Sequence, residues 1–480
     1  MSEALERLAA AVVFPGFEGP AAPAWVRRWL ERGLGGVVLF AWNVESRDQL
    51  RALTATLRSE RENVLIAIDE EGGDVTRLEA STGSSYPGNA ALGVVDDVEL
   101  TEQVAAAMAA ELSSVGVNVN LAPVADVNTN PENPVIGIRS FGADDELVAR
   151  HVASFVRGHQ SAGVAACAKH FPGHGDTAED SHLELPVVES IEDSALLPFQ
   201  AAIEAEVRAI MTAHIVVRAS GDAPATMSRE ILHGLLREKM GYDGLVVTDA
   251  LEMRAVSATV GVEEGAVRAI EAGADALCLG HDLFEEPVRG VCDALIEAVR
   301  SGRLEEGRLA EAAERVHRLS QWVSRGSSPG AISPDIGRVA ARRALHVTGN
   351  RSLSRAPLVV ELEPEPSMAA GRLPHGPGDW FRAVVPEAET VRLQDGTVDD
   401  VLALANGRQL VVVARDAHRH AWERGAIEAL VSGTDDTVVI ELGLPYWTPK
   451  GVSTYVTTHG AGRVNVEAAA ERLYASAPSR

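Results

Sequence analysis

Cysteine is scarce in this sequence of 480 residues, which argues against a fold built on disulfide bonds. The three cysteines, Cys167, Cys278 and Cys292, are odd in number and show no C-x-x-C spacing, so we expect reduced residues of the core. Basic residues are also in deficit, because 43 Lys and Arg stand against 69 Asp and Glu and leave a net charge of −26. Such a chain repels nucleic acids and anionic membranes, so we expect neither as a partner and favour a neutral, polar substrate.

Long apolar runs are absent as well. No stretch approaches the roughly eighteen apolar residues that a membrane-spanning helix requires. Met1–Ala10 carries Glu3 and Glu6 and lacks the basic start and continuous apolar run of a signal peptide, so we expect a soluble, cytoplasmic protein. The chain is too long for one ordinary core, and its apolar share of 46% is typical of globular proteins, so we expect two folded domains.

Short apolar runs alternate with helical patterns over the first two-thirds of the chain. Eight strand candidates, each followed by a helix candidate, predict a TIM-type (β/α)₈ barrel. A doubly wound open sheet is the alternative, but eight repeats over this length favour closure. The candidate strands begin at Ala11, Gly36, Val64, Val117, Val164, Ala209, Gly244 and Ala274.

A Gly-, Ser- and Pro-rich stretch predicts a domain boundary after the barrel. We therefore predict a catalytic barrel over residues 1–325, a linker over 326–350 and a smaller α/β sandwich over 351–480. Strands of the sandwich are expected from Leu358, Gln409, Thr437 and Ser453. Arg415, His418 and His420 follow one of these strands, and we interpret them as part of a solvated loop.

Polar residues gather at the carboxyl ends of the candidate barrel strands, which converge on one mouth. For Asp126 and His214, a hydrogen bond to nearby backbone explains the position at least as well as a functional role. Lys169 ends an apolar run, and a buried ammonium group is costly without a partner, so we expect one. The strand-end residues are Asp69, Asp126, Lys169, His170, His214 and Asp249.

The segment KHFPGHGDTAEDSHLELP, which starts at Lys169, is a loop dense in titratable groups. Its Asp180-Ser-His182 spacing places a carboxylate and an imidazole on one side of an extended backbone, where the carboxylate can orient the ring for acid/base chemistry. Two alternatives stay open. The loop could be a purely structural polar network, or His170, His174, Asp176 and His182 could hold the metal of a metal-dependent barrel hydrolase.

Several segments in barrel order resemble glycoside hydrolase family 3, specifically its β-N-acetylhexosaminidase branch. The run KHFPGHGDTAEDSH is similar to the signature of that branch, and IDEEGGDVTRL from Ile68 is similar to another family segment. NPVIGIRSFG from Asn133, MTAHI from Met211 and PATMS from Pro224 also match. GLVVTDALEM from Gly244 resembles the strand that carries the nucleophile. The carboxyl-terminal third is more weakly similar to the second domain of the family.

The resemblance implies a retaining, exo-acting β-N-acetylglucosaminidase that needs no metal or cofactor and takes part in recycling cell-wall fragments. Asp249 matches the nucleophile of the family, His182 its acid/base and Asp180 the partner of that histidine. This Asp–His pair is an unusual replacement for the second carboxylate that most retaining glycosidases use. The residues that match the family's sugar-binding positions are Asp69, Arg77, Arg139, Lys169 and His170.

The sequence is also compatible with other functions. A phosphorylase is the nearest alternative, because a neutral histidine repels incoming phosphate less than a carboxylate would. A sugar-binding protein without catalysis is a further one, although the intact Asp249, Asp180 and His182 argue against it. The sequence departs from the pattern of the family at three positions. Glu70 and Asp74 stand where Gln and Arg are common and add negative charge, which disfavours binding of anionic muramyl-peptide fragments. Ala250 stands where Asp is frequent.

Overall fold

The computed structural model describes residues 2–177, 185–280, 284–326, 333–354, 356–362, 364, 370–371, 375–393 and 397–475. The chain divides into two compact units that interleave along the sequence. The first contains Met1–Glu70, Thr101–Ile136 and Ala143–Ser333. The second contains Glu71–Leu100, Gly137–Gly142 and Pro334–Arg480.

Within its described residues, the first unit contains eight parallel strands in barrel order. Six of them form one sheet in the order β2-β3-β4-β5-β6-β7, and β1 pairs with β8. A parallel bridge from Val247 to Ala276 links the end of β7 to the residue before β8. The strands are β1 Val13–Pro15, β2 Gly36–Leu39, β3 Leu65–Ile68, β4 Val119–Asn120, β5 Ala165–Phe171, β6 Ala209–Thr212, β7 Leu245–Val247 and β8 Leu277–Leu279.

One apolar cluster fills the barrel and takes side chains from or beside all eight strands. The helix Glu306–Ser324 adds Val316 and Leu319 to it. Cys167 and Cys278 belong to this cluster, and Cys292 is buried too; all three are free thiols, as predicted.

Helices connect the strands of the first unit. Among the residues that the structure describes, each helix is too short or too polar to cross a lipid bilayer. A short parallel pair, Val187–Val188 with Val216–Val217, lies outside the barrel sheet. The helices are Ser2–Ala11, Ala24–Glu31, Arg47–Glu60, Val98–Ser114, Asp145–Ser161, Asp193–Glu204, the π-helix Glu230–Lys239, Arg254–Ser257, Val262–Ala272, Glu285–Arg300 and Glu306–Ser324, with 3₁₀ turns at Ala41–Asn43, Arg218–Ser220 and Ala225–Met227.

The second unit contains a six-stranded sheet in the order β9-β14-β13-β12-β10-β11, parallel except for β9 against β14. Alternate residues of its central strands enter two separate apolar clusters, which is typical of a sheet covered on both faces. The predicted fold class, a barrel followed by a smaller α/β domain, is confirmed. The strands are β9 His346–Gly349, β10 Leu358–Leu362, β11 Glu389–Leu393, β12 Leu410–Ala414, β13 Thr437–Glu441 and β14 Thr454–Thr457.

Residues 71–100 pack with the carboxyl-terminal part of the chain. The Trp380 indole N–H donates to the Thr82 carbonyl at 2.9 Å, and Arg463 donates to the Ser85 hydroxyl at 2.6 Å. The span predicted as a linker contains a helix and β9, and the domain boundaries themselves stay a prediction. The helices of this unit are Asn89–Val95, Ile336–Ala344, Pro377–Val384, Val398–Ala405, Ala421–Gly433 and Arg463–Ala475, with a 3₁₀ turn at Gly137–Arg139.

Candidate active site

Along each barrel strand, every second side chain forms a row that points into the barrel. On three strands, this inward-facing row ends in a charged side chain at the carboxyl end of the barrel. The last apolar members of these rows on β3, β5 and β7 are Ala67, Cys167 and Val247. Side chains of a strand alternate between its two faces, so the residue two positions further on points the same way. Those residues are Asp69, Lys169 and Asp249. The local alternation therefore aims all three into one mouth.

Lys169 and Asp69 form a buried ion pair across the mouth. The Lys169 Nζ donates to the Asp69 Oδ1 at 2.6 Å, and the two side chains are 3% and 19% exposed. The predicted partner of the buried ammonium is thus confirmed. Burial raises the pKa of the Cys167 thiol beneath them; the charge of Lys169 lowers that pKa, and the charges of Asp69 and Asp249 raise it. All three charges therefore act on one point of the barrel interior.

Asp249 is half-buried just beyond β7, and its Oδ1 accepts the Ala250 N–H at 2.8 Å. The carbonyl group of Ala250 is held by His214, whose Nε2 lies 3.0 Å from the carbonyl oxygen. Because a carbonyl only accepts, this Nε2 carries a proton, and Nδ1 pairs with the Thr226 hydroxyl at 2.8 Å. A hydrogen bond to nearby backbone was one of the two explanations for His214, and the bond present here holds the turn that carries Asp249.

Replacing His214 tests how much this contact stabilises the turn. His214→Ala is expected to lower the free energy of unfolding by about 1–3 kcal/mol, because the partly buried Ala250 carbonyl loses its donor. His214→Gln, which can still donate an N–H, should recover part of that loss. Chemical denaturation monitored by circular dichroism measures both variants. Equal stability of the wild type and His214→Ala would show that the contact contributes nothing.

Asp126 anchors the segment that follows Lys169. Its Oδ1 accepts the backbone N–H groups of His170 and His174 at 3.2 and 2.7 Å, and its Oδ2 lies 2.7 Å from the His170 Nδ1. The Asp126 side chain is fully buried. Asp126 therefore has the backbone-binding role that was one of the two expectations for it, and it also orients the His170 ring.

The next residues of the same segment pack closely onto the chain after β4. A Cβ on Gly175 would lie 1.8 Å from the Val127 carbonyl oxygen, so only glycine fits there. His174 pairs with the Thr177 hydroxyl at 2.6 Å, and burial lowers the pKa of its imidazole to about 4. His174 is therefore neutral at neutral pH. Within residues 2–177 and the other described ranges, no three His, Cys, Asp or Glu side chains are arranged to hold a metal ion.

The second unit holds the two arginines predicted to bind sugar. Arg139 donates from Nε and Nη2 to the two carboxylate oxygens of Glu71, at 2.9 and 2.8 Å, and both side chains are almost fully buried. The Arg139 carbonyl accepts from the Asn89 amide at 2.7 Å. The Arg77 Nη1 lies 3.4 Å from the Ala370 carbonyl oxygen. The described geometry thus fixes Arg139 firmly through a bidentate pair.

Asp74 forms an ion pair with Arg415 inside the second unit. Only 7% of the Asp74 side chain and 24% of the Arg415 side chain are exposed. The interpretation of Arg415 as part of a solvated loop is therefore wrong, because its guanidinium group compensates a buried carboxylate. The negative charge that Asp74 adds to the sequence is offset locally.

Two further carboxyl groups are buried beside Arg415. Burial, with the charge of Asp416, raises the pKa of Glu441 to about 7. Burial, with the charge of Glu441, raises the pKa of Glu423 to about 8. The backbone N–H groups of Asp416, Ala417 and Gly443 donate to the Glu441 carboxylate, which lies at the end of β13. Glu423 is fully buried and therefore mostly protonated in the folded protein at pH 7.

Glu423 should make the second unit less stable as the pH rises. Between about pH 4.5 and 8 the folded state holds a proton that the unfolded state has lost, so stability falls with rising pH. Glu423→Gln removes this dependence and is expected to raise the free energy of unfolding at pH 8 by about 1–3 kcal/mol. Thermal unfolding at pH 5 and pH 8 measures the difference. The exposed Glu428→Gln on the same helix is the control, and an equal effect of both variants would contradict the account.

The predicted site residues fall into three groups. Four belong to the first unit. Three of these, Asp69, Lys169 and Asp249, face one end of the barrel, and the fourth is His170. Arg77 and Arg139 belong to the second unit. Asp180 and His182 lie outside the described residues. The roles of all eight in catalysis and binding stay predictions.

Sequence reasoning missed two charged partners. Glu71 was passed over although it lies in the segment IDEEGGDVTRL, where two acidic residues follow Asp69. The adjacent Glu70 indicates a polar cluster at this position, but nothing in the run identifies Arg139 as the partner of Glu71. Arg415 was named in the sequence but interpreted as solvated, and nothing local linked it to Asp74, which lies 341 positions away.

Comparison with known proteins identifies the family of the chain. The model of the glycosyl hydrolase family 3 N-terminal domain matches residues 21–319. Beta-hexosaminidase A of Pseudoalteromonas piscicida is 36% identical over 346 residues, which are 65% of this chain and 57% of that protein. This chain thus spans little more than half of that relative. A beta-hexosaminidase of Methylococcus capsulatus is 39% identical over 54% of this chain and 79% of its own length.

A solved structure extends the similarity to nearly the whole chain. It is that of a glycoside hydrolase family 3 beta-N-acetylglucosaminidase from Paenibacillus sp. str. FPU-7, with a TM-score of 0.89 and 34% identity. The alignment covers 99% of this chain and 97% of that one. The resemblance inferred from the motifs is confirmed, and the chain belongs to glycoside hydrolase family 3.

Proposed function

We propose that the protein is a retaining, exo-acting β-N-acetylglucosaminidase, a β-N-acetylhexosaminidase that releases terminal N-acetylglucosamine. The observation that carries this proposal is the convergence of Asp69, Lys169 and Asp249 on the carboxyl end of one barrel. A barrel mouth is where such enzymes place their chemistry. The names of the Pseudoalteromonas, Methylococcus and Paenibacillus relatives support the same activity.

In the proposed reaction, the Asp249 carboxylate attacks the anomeric carbon and forms a covalent glycosyl-enzyme. His182, oriented by Asp180, gives its proton to the departing glycosidic oxygen. The same imidazole then takes a proton from water, which attacks the anomeric carbon and frees Asp249 with the β configuration retained. An ordinary imidazole titrates near pH 6.5, so one group can serve both steps.

The sugar is held by hydrogen bonds in this proposal. Lys169 is fixed by Asp69, and His170 by Asp126, so these groups are in place before the substrate arrives. The bidentate Glu71 contact orients Arg139 in the same way within its own unit. Fixed donors and acceptors lose little conformational entropy on binding, which favours tight selection of one sugar configuration.

We further propose that the substrates are cell-wall fragments in which N-acetylglucosamine is linked to N-acetylmuramic acid, cut in the cytoplasm during recycling. The kinship with the hexosaminidase branch supports this role. The pairing of Asp74 with Arg415 removes one objection to an anionic aglycone, because the added carboxylate is already neutralised.

The proposal is tested by assaying aryl β-glycosides of N-acetylglucosamine, N-acetylgalactosamine and glucose. We expect free N-acetylglucosamine as the product, at a rate that does not change with added phosphate or with EDTA. A sugar 1-phosphate formed only with phosphate would establish a phosphorylase instead. Activity lost to EDTA and restored by zinc would establish a metal-dependent hydrolase, and binding without turnover would establish a sugar-binding protein.

A further inference from the structure

An aromatic pair lies at the same level of the barrel mouth as the charged residues. Phe40 follows β2, two positions after the interior residue Val38, and packs against the interior cluster, as Ala250 also does. The Trp42 ring stacks on the Phe40 ring, with centroids 4.7 Å apart and an interplanar angle of 13°. The arc of the mouth that includes β2 therefore carries aromatic surface rather than charge.

Backbone hydrogen bonds hold the Trp42 indole in one orientation. Its Nε1 donates to the Phe17 carbonyl at 2.9 Å. Asn43, which is fully buried, accepts the Phe40 N–H at 2.8 Å and donates to the Phe17 and Gly19 carbonyls at 2.9 and 2.7 Å. Despite this support, Trp42 is 41% exposed. A tryptophan kept only for folding would gain more by burying that surface.

A chain of contacts joins the aromatic pair to the segment that carries Asp249. A Cβ on Gly16 would lie 2.9 Å from the Phe40 ring and 2.5 Å from the Gly280 carbonyl oxygen. A Cβ on Gly280 would lie 1.3 Å from a Glu252 carboxylate oxygen. Glu252 follows Asp249 by three residues. Phe40 and Asp249 thus border the same mouth, and Gly16 and Gly280 allow the segments between them to pack without a gap.

We propose that Trp42, supported by Phe40, is a sugar-binding platform that packs against the apolar C–H face of a pyranose ring of the substrate. This inference rests on the proposed function. A pyranose presents hydroxyl groups at its edge and C–H groups on its faces, and an aromatic face attracts C–H groups because its π electrons are negative. Asp69 and Lys169 would bind the edge, and Trp42 a face, which is the usual division in a small-molecule site.

The first experiment is a titration of the wild type and Trp42→Phe with N-acetylglucosamine and with its β-1,4-linked disaccharide, followed by tryptophan fluorescence. We expect a saturable change of emission in the wild type that is lost in Trp42→Phe, because the indole that contacts the sugar is gone. Trp42→Phe keeps an aromatic ring, so it should fold normally. The same change of emission in both proteins would overturn the proposal.

The second experiment compares the kinetics of Trp42→Ala and Trp42→Phe. Loss of the ring is expected to raise KM about tenfold with kcat within about twofold, and the phenylalanine variant should recover most of that KM. Tyr474→Ala, which removes a 49% exposed aromatic residue of the second unit, is the control and should leave KM unchanged. A wild-type KM for Trp42→Ala would contradict the platform.

The two experiments separate this inference from the proposed function. A wild type that binds sugar with a Trp42-dependent change of emission, but hydrolyses no β-N-acetylglucosaminide, would retain the platform and refute the activity. A wild type that hydrolyses the substrate, with a KM and an emission change independent of Trp42, would retain the activity and refute the platform.

Discussion

Asp249→Asn is expected to lower kcat for an aryl β-N-acetylglucosaminide by about four orders of magnitude, the scale seen when a nucleophile is removed. The amide has the shape of the carboxylate but cannot attack the anomeric carbon. Its oxygen can still accept the Ala250 N–H, so the turn after β7 should keep its conformation. Steady-state assays of the purified variant, with its melting temperature measured alongside, test this expectation.

A control and a rescue sharpen the Asp249 experiment. Asp243→Asn removes a carboxylate near the amino end of β7, where Asp243 pairs with Arg315 and Arg318, and it should retain near-normal kcat. For Asp249→Gly, added azide should restore turnover and yield the α-configured glycosyl azide, because the anion replaces the missing carboxylate in the attack. Retention of a tenth or more of wild-type kcat by Asp249→Asn would refute the assignment.

Lys169→Met is expected to lower kcat/KM by about 100- to 1,000-fold and to destabilise the protein by about 3–5 kcal/mol, because the Asp69 carboxylate is left partly buried without its partner. Asp69→Asn should act in the same direction. The double variant should lose much less stability than the sum of the two single variants. A double-mutant cycle on the free energy of unfolding and on kcat/KM measures this coupling.

The exposed pair of Arg157 and Glu102, whose atoms lie 3.1 Å apart, is the matched control for that cycle. Its coupling should stay below about 1 kcal/mol, because water screens both charges and the side chains lose conformational freedom in pairing. A coupling between Lys169 and Asp69 as small as this control would mean that their proximity has no energetic consequence. Additive losses of kcat/KM would mean that they act on the substrate separately.

The sequence allowed the barrel and its charged mouth to be predicted because both follow from local periodicity. The apolar runs of β3, β5 and β7 are long enough to recognise in the sequence. In each strand, the first polar residue among the inward-facing side chains lies at the carboxyl end and therefore faces the mouth of the barrel. That rule identifies Asp69, Lys169 and Asp249 without any structure. The need for a Lys169 partner also followed from the cost of burying a charge, although the rule could not identify the partner.

The ion pairs of the second unit could not be predicted in this way. Glu71 with Arg139 and Asp74 with Arg415 join residues far apart in the sequence, and no periodic pattern connects them. Two strands of the second sheet were missed for another reason. Glu389–Leu393 and His346–Gly349 lie at its edges and are partly exposed, so they lack the continuous apolar run that marks β12 or β13.

The most direct test of Asp249 as nucleophile is to trap the glycosyl-enzyme with an activated 5-fluoro derivative of N-acetylglucosamine. The fluorine slows both steps, and a good leaving group lets the first step proceed, so the intermediate accumulates. Mass spectrometry of the digested protein should find one sugar on the peptide from Gly244 to Met253, attached at Asp249. A sugar on another residue, or turnover with retained configuration and no labelled peptide, would contradict the account.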